Sequence, residues 1–245
     1  MVILFAPSEG KKAGGILPSF SETSFLFPEL YPYRLEIINR YQTLVQTGTE
    51  EILSELFGIK EVKEFIRYKK PFEAAPTMKA IERYDGVAYG YLNYLELSTQ
   101  AQRYIDSHVI LFSNLFGPIR ADDRIPDYKL KQGAAIDTVA PEKFYKAHFS
   151  KALDELIGDR EILDIRAGFY DKFYVPNNKA TTLKFLKEGK VVSHWAKAYR
   201  GVVLREAALS RVESINELLA LNIEGLILRE ITETKKRKEI IYEIV

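Results

Sequence analysis

The segment SHWAKAYRGVVLREAALSRV, Ser193–Val212, constrains the fold more than any other stretch of the chain. It reads as the end of a strand running into a helix, and its many apolar and small residues require most of that helix to be packed. Yet it carries Lys197, Arg200, Arg205 and Arg211, none with a carboxylate three or four residues away. At about 100° per residue, Lys197, Arg200 and Arg211 fall within roughly 60° of one another, with Arg205 about 80° from Lys197. A lone guanidinium is too costly to leave in a dry core. The fold must bring distant carboxylates to these cations or set them on a wet cleft that accepts an anion. Gly201, beside Arg200, admits the close approach of another backbone or of a phosphate.

The imbalance extends upstream. Lys172, Lys179, Lys184, Lys187, Lys190, Lys197, Arg200, Arg205 and Arg211 are opposed within that span only by Glu188 and Glu206. A strand–hairpin–helix unit charged this way suits a phosphate groove, because each neutralised phosphate releases condensed counterions. The plainer reading is a solvated face whose carboxylates come from elsewhere in the chain. Net charge is only +1, so a nucleic-acid site must arise from uneven distribution and not from overall basicity. The compact KKRK at 235–238, flanked by Glu233 and Glu239, reads as a hairpin tip.

Along the chain, MVILFA opens as a short apolar strand followed by a polar loop, and segments 34–47, 50–57 and 60–69 carry helical spacing. A helix is expected around 98–106, then the buried-type strand HVILFS. Residues 114–133, rich in Gly, Pro and Asp, predict a long ordered loop or a set of turns. Pro141 and Gly158 bracket a helix as first-turn residue and C-cap. EILDIRAGFY reads as a strand, TTLKFLKEGKVVSHWAK as a hairpin turning at KEGK, and the end of the chain as two strands around TETKKRKE. No repeat, linker or composition break divides the chain, which predicts one mixed α+β domain over 1–245.

Several chemistries are excluded or weakly supported. The absence of cysteine removes disulfides, thiolate metal sites and thiol nucleophiles. His108, His148 and His194 lie far apart with no metal-binding spacing, which also argues against an iron-sequestering role, and the sequence asks for no cofactor. The apolar runs are too short to span a bilayer and no signal-like segment leads the chain, so a cytoplasmic protein with no membrane partner is expected. PSEGKK at 7–12 lacks P-loop spacing, although Ser8, Lys11 and Lys12 would face an anion if the loop presents them. In RADDR, Asp122 and Asp123 between Arg120 and Arg124 are either a catalytic or metal-holding carboxylate pair or an internal salt-bridge cluster. ELFGIKEVKEFI, around Gly58 and Lys60, fits a helix–hairpin–helix element lacking its second glycine, or a plain αα-hairpin with a glycine C-cap.

Taken together, these motifs resemble one family, the YaaA-type peroxide stress proteins, from the first strand to about residue 230. The family's ILxSPAK corresponds to ILFAPSEGKK, with the lysine displaced, and its GxxYxGL to GVAYGYL, sharing Gly86, Tyr89 and Leu92. Family LSGLYGxLRPLDxxxPYRLEMG corresponds to FSNLFGPIRADDRIPDYKLKQG, with Gly117, Arg120, Asp123, Tyr128, Leu130 and Gly133 in common and Lys129 in place of arginine. EYFKSV corresponds to FYDKFYV through Tyr170 and Lys172. FYAKKARGLMxRFII corresponds to HWAKAYRGVVLREAA through Ala196, Lys197, Arg200, Gly201 and Arg205, and FNxEGY to LNIEGL through Asn222, Glu224 and Gly225.

The resemblance implies a mixed fold particular to that family, the cantaloupe fold, with a basic cleft and a helix–hairpin–helix element. It also implies binding of double-stranded and branched DNA and a role in limiting iron-dependent oxidative DNA damage. By that analogy Lys172, Lys197, Arg200, Arg205, Arg120 and Lys129 would line the cleft and hold phosphates, with Gly58 and Lys60 in the hairpin element. Tyr128 and Tyr170 would stack on an unpaired base. Asp123 and Glu224 would orient neighbouring arginines. The competing reading is an enzyme acting on DNA or a phosphorylated small molecule through Arg120, Asp122 and Asp123.

Overall fold

A computed structural model describes all residues, 1–245. Eight strands form the main sheet: β1 (Val2–Phe5), β2 (Val109–Ser113), β3 (Gly117–Arg120), β4 (Ile162–Asp164), β5 (Ala180–Lys187), β6 (Lys190–Val191), β7 (Leu226–Glu233) and β8 (Arg237–Ile244). Their order is β7-β8-β5-β4-β1-β2-β3, with the short β6 also on β5. The helices are α1 (Tyr31–Thr47), α2 (Glu50–Phe57), α3 (Ala80–Arg83), α4 (Val87–Leu92), α5 (Thr99–His108), α6 (Pro141–Ile157), α7 (Ser193–Ser210) and α8 (Ile215–Ala220).

The strand sequences explain the sheet's interior. Every residue of β1 and β2 is buried, which an uninterrupted apolar run requires when both sheet faces are covered. β1 pairs in parallel with β2 (Ile3 opposite Val109) and with β4 (Ile3 opposite Leu163). β4 and β8 both pair in parallel with β5, each meeting it at Ala180. The edges turn back, β3 antiparallel to β2 and β7 to β8, and so does the two-residue β6, antiparallel to the end of β5. The expected single mixed domain is present, but its class is corrected from α+β to α/β, because the core of the sheet is parallel and helices alternate with its strands. The parallel crossovers are long, and nothing local in the sequence marks them.

Both expected hairpins form. At KEGK, Glu188 and Gly189 take positive φ (52° and 72°), the backbone a tight two-residue hairpin turn needs. Residues Lys235 and Lys236 sit at the tip between β7 and β8. The helix after Gly58 does not form as expected: Val62–Arg67 is a 3₁₀ helix, and Gly58 closes α2 in the left-handed conformation, its N–H donating to the Ser54 carbonyl (2.9 Å). This is the plain glycine C-cap. Residues 114–133 contain β3 and a short strand, Arg124–Pro126, that pairs with Thr77–Lys79.

From β1 the chain crosses to β2 and β3 on one side, and then returns to β4 and β5 on the other. The loops leaving the carboxyl ends of β1 and β4 therefore diverge. In open α/β sheets such a switch point leaves a crevice where ligands bind.

Candidate functional site

A cleft of about 530 Å³ lies at that switch point. Its walls are the loop after β1 (Phe5–Gly10), the start of α4 (Asp85–Tyr89), the segment after β4 (Ile165, Ala167, Tyr170), Gln132, and Lys197 and Arg200 from α7. Local contacts fix the lip. The Ser8 hydroxyl donates to the Asp85 carbonyl, and Gly10 pairs with Asp85 in a two-residue ladder. Glu9 accepts from the Gln132 N–H (3.0 Å), and its carbonyl accepts from Lys129 Nζ (3.4 Å).

The segregated cations divide into two groups. Along and just before β5 two find carboxylates across the sheet: Lys179 pairs with Glu233, and Lys184 lies 3.8 Å from Glu239, while Lys187 lies over the Trp195 ring (4.8 Å). On α7 they do not. Lys197 is exposed and Arg200 half-buried, both line the cleft, and neither forms an ion pair. Burial pulls the Arg200 guanidinium below its ordinary pKa, and the charge of Asp164 offsets part of that. Such a cation gains from an anionic ligand.

Other expected site residues lie elsewhere. Arg205 donates to the carbonyls of Leu92 (3.0 Å) and Asn93 (3.4 Å), neutralising the end of α4 instead of facing the cleft. Arg211 caps α7 in the left-handed conformation. Arg120 sits outside the cleft, 3.3 Å from Asp122 and 3.7 Å from Asp123. Buried Asp123 accepts from the N–H groups of Leu26 (2.8 Å) and Arg120 (3.0 Å), and burial pushes its carboxyl up to about 6. RADDR is thus an internal salt-bridge and turn-fixing cluster.

Stacking by Tyr128 is corrected. Its ring is buried, and its hydroxyl is shared with Tyr84 (2.9 Å) and Ser113 (2.8 Å). Tyr170 is also buried and offers the cleft only part of its surface. Exposed Lys172 forms no ion pair and lies over the Phe169 ring (4.9 Å). Glu224 is exposed and orients no arginine. Gly58 and Lys60 lie away from the cleft; the Lys131 side chain packs over Gly58. Lys131 also borders a second hollow beside α2, and Gln132 is common to both hollows.

Three features had no sequence signal of their own: Gln132, the unpaired Asp85 side chain, and a buried ion pair between Arg166 and Asp164 just behind the cleft. Lys11 differs from its expected role as well. Its Nζ donates to the carbonyls of Ser8 (3.2 Å) and Glu9 (3.3 Å) and lies 4.2 Å from the Tyr128 ring centre. Burial, reinforced by Lys129, lowers its pKa to about 7. Because the folded value lies below the unfolded 10.5, the unfolded chain binds more protons between about 7 and 10.5, and stability rises with pH across that window. Urea midpoints of the wild type should increase from the lower to the upper end of it. Lys11→Met should lack that increase, and equal pH profiles for the two proteins would refute the assignment.

The fold and this cleft define a class: an α/β protein with a crevice at a sheet switch point and two cations without ion-pair partners on its wall. The family model described as "Peroxide stress protein YaaA" matches residues 1–232, and the chain belongs to that family. It is similar to an uncharacterized protein of Campylobacter jejuni, 49% identical over the whole of both chains. It is also similar to a UPF0246 protein of Streptomyces coelicolor (30% identical, 84% of this chain and 82% of the relative) and one of Corynebacterium glutamicum (31%, 94% and 95%). No helix is long and apolar enough to cross a membrane.

Proposed function

We propose that this protein binds DNA in the peroxide stress response, holding backbone phosphates at the cleft and so protecting DNA when iron-dependent oxidation threatens it. The observation that carries this reading is the pair Lys197 and Arg200: two cations on one cleft wall without a carboxylate partner. Exposed Lys172, which forms no ion pair, adds to the positive charge, whereas the Lys129 amine is held 3.9 Å from the Glu9 carboxylate. Contacts of this kind position the polyanion without reading its sequence, so duplex and branched DNA are both accepted. The enzymatic alternative through Arg120, Asp122 and Asp123 has no support from geometry, because their charges are spent on one another and on backbone N–H groups.

The test is a titration of labelled duplex across salt concentrations. Lys197→Ala and Arg200→Ala should each weaken binding to every sequence and flatten the log K–log salt slope by about 0.9. Together they should flatten it by about 1.8. Arg120→Ala should leave the slope unchanged. A double variant with wild-type affinity and slope would remove the basis of the proposal.

A further inference from the structure

The cleft is too small for what its rim would attract. A volume of about 530 Å³ belongs to the size class of small-ligand pockets, roughly 300–1,000 Å³. A DNA duplex, whose major groove alone is about 12 Å wide, can lie across the rim but cannot enter. The interior is nevertheless differentiated. Cations stand on the α7 wall, and Ala6, Pro7 and Val87 supply apolar surface. On the α4 side, Asp85 is an exposed residue of the cleft wall, and its carboxylate makes no hydrogen bond or ion pair. A second phosphate there would be repelled, whereas an N–H donor would be welcome. The complementary ligand is anionic at one end, flat and apolar in the middle, and bears a hydrogen-bond donor at the other.

We propose that the cleft is a site for a single nucleoside monophosphate unit, its phosphate on Lys197 and Arg200 and the amino edge of its base toward Asp85. The unit is either a free nucleotide or one unpaired nucleotide of a DNA strand, since both present the same groups. The proposal rests on the reading above only in assigning Lys197 and Arg200 to phosphate. It places the site at the carboxyl ends of β1 and β4, where the divergence of the two loops creates the crevice.

Calorimetric titration with dAMP tests it, with inorganic phosphate and a matched DNA duplex titrated into the same proteins. One dAMP should bind per chain, more tightly than phosphate alone. Arg200→Ala should weaken it by about 10–100-fold, the range expected for one charge-assisted hydrogen bond. Val87→Trp should abolish it, because Val87 is a 39% exposed residue on the cleft wall where an indole fills the space without disturbing the core. A short single strand separates the two sources: if the cleft takes nucleotides of DNA, dAMP displaces the strand and Val87→Trp weakens it. If it takes only free nucleotides, the strand is unaffected while dAMP still binds. Absence of dAMP binding, together with single-strand affinity unchanged by Val87→Trp, would overturn the site while leaving duplex binding standing. Saturable dAMP binding without any duplex binding would instead support the site and refute the DNA reading.

Discussion

Arg166→Ala is expected to destabilise the protein by about 3–5 kcal/mol, the cost of leaving one member of a buried ion pair uncompensated. The Arg166 side chain is 1% exposed, and its Nε and Nη2 donate to the two oxygens of Asp164 at 2.9 and 2.7 Å. Its remaining donors reach the carbonyls of Tyr170 (3.2 Å) and Tyr174 (3.1 Å), and the guanidinium lies 4.4 Å from the Phe112 ring centre. Alanine would strip the ionic partner from a buried carboxylate and leave the Tyr174 carbonyl without its donor, while the Tyr170 carbonyl keeps the N–H groups of Phe173 and Tyr174. Equilibrium urea unfolding should show a lower midpoint with an unchanged slope. Adding Asp164→Asn should restore part of the loss by removing the stranded charge, but not all of it, because the Tyr174 carbonyl stays unpaired. A single-variant loss under about 1 kcal/mol would mean that Asp164 finds water or another donor. Tyr170 lines the cleft and hangs from this guanidinium, so ligand affinity should fall alongside stability.

The parts of the fold that could be read in advance are those whose cause is local. VILF and HVILFS are apolar without alternation, and only strands covered on both faces tolerate that pattern. The KEGK turn supplies a glycine where positive φ is required. The parallel pairing of β1 with β2 and β4 has no such signature, since it joins segments separated by more than a hundred residues. The stretch Val62–Arg67 was legible as helical but not as 3₁₀, because periods of 3.0 and 3.6 cannot be told apart over six residues. What anchors it is Phe65, buried with its ring edge-on to Phe57 at 5.5 Å, a contact the chain pattern does not reveal.

The site divides along the same line. Lys197 and Arg200 stood out because they lacked local carboxylates, and no distant one comes within ion-pair distance, although Asp164 acts on Arg200 from further off. Arg205 shared that signature, but its partner is a pair of backbone carbonyls at the end of α4, and carbonyls are invisible to a count of acidic residues. Lys184, whose nearest carboxylate in sequence is Glu188 four positions on, is answered instead by Glu239, 55 positions away. Tyr128 stands amid polar, turn-rich sequence yet is buried, because Tyr84 and Ser113 satisfy its hydroxyl from other segments. Missing local partners therefore nominate candidates; tertiary structure selects among them.

Gly201→Ala is the second large effect expected, and its sign is informative. Intrinsic helix propensity alone favours alanine over glycine by about 1 kcal/mol. In this structure, however, a β-carbon at Gly201 would collide with the carbonyl oxygen of Ala88, within the backbone of α4. A main-chain atom cannot swing aside as a flexible side chain would, so α7 and α4 must separate, and the net expectation is a loss of roughly 1–3 kcal/mol. The close approach foreseen at Gly201 is thus made by a backbone. It also bears on the shape of the cleft, since Arg200 and Ala88 both line it from the two helices that meet at Gly201. Prying them apart should weaken dAMP binding as well as lower the urea midpoint, without removing any charged group. A Gly201→Ala protein more stable than the wild type would show that α4 and α7 do not touch here, and the cleft would then lack the wall that gives it its shape.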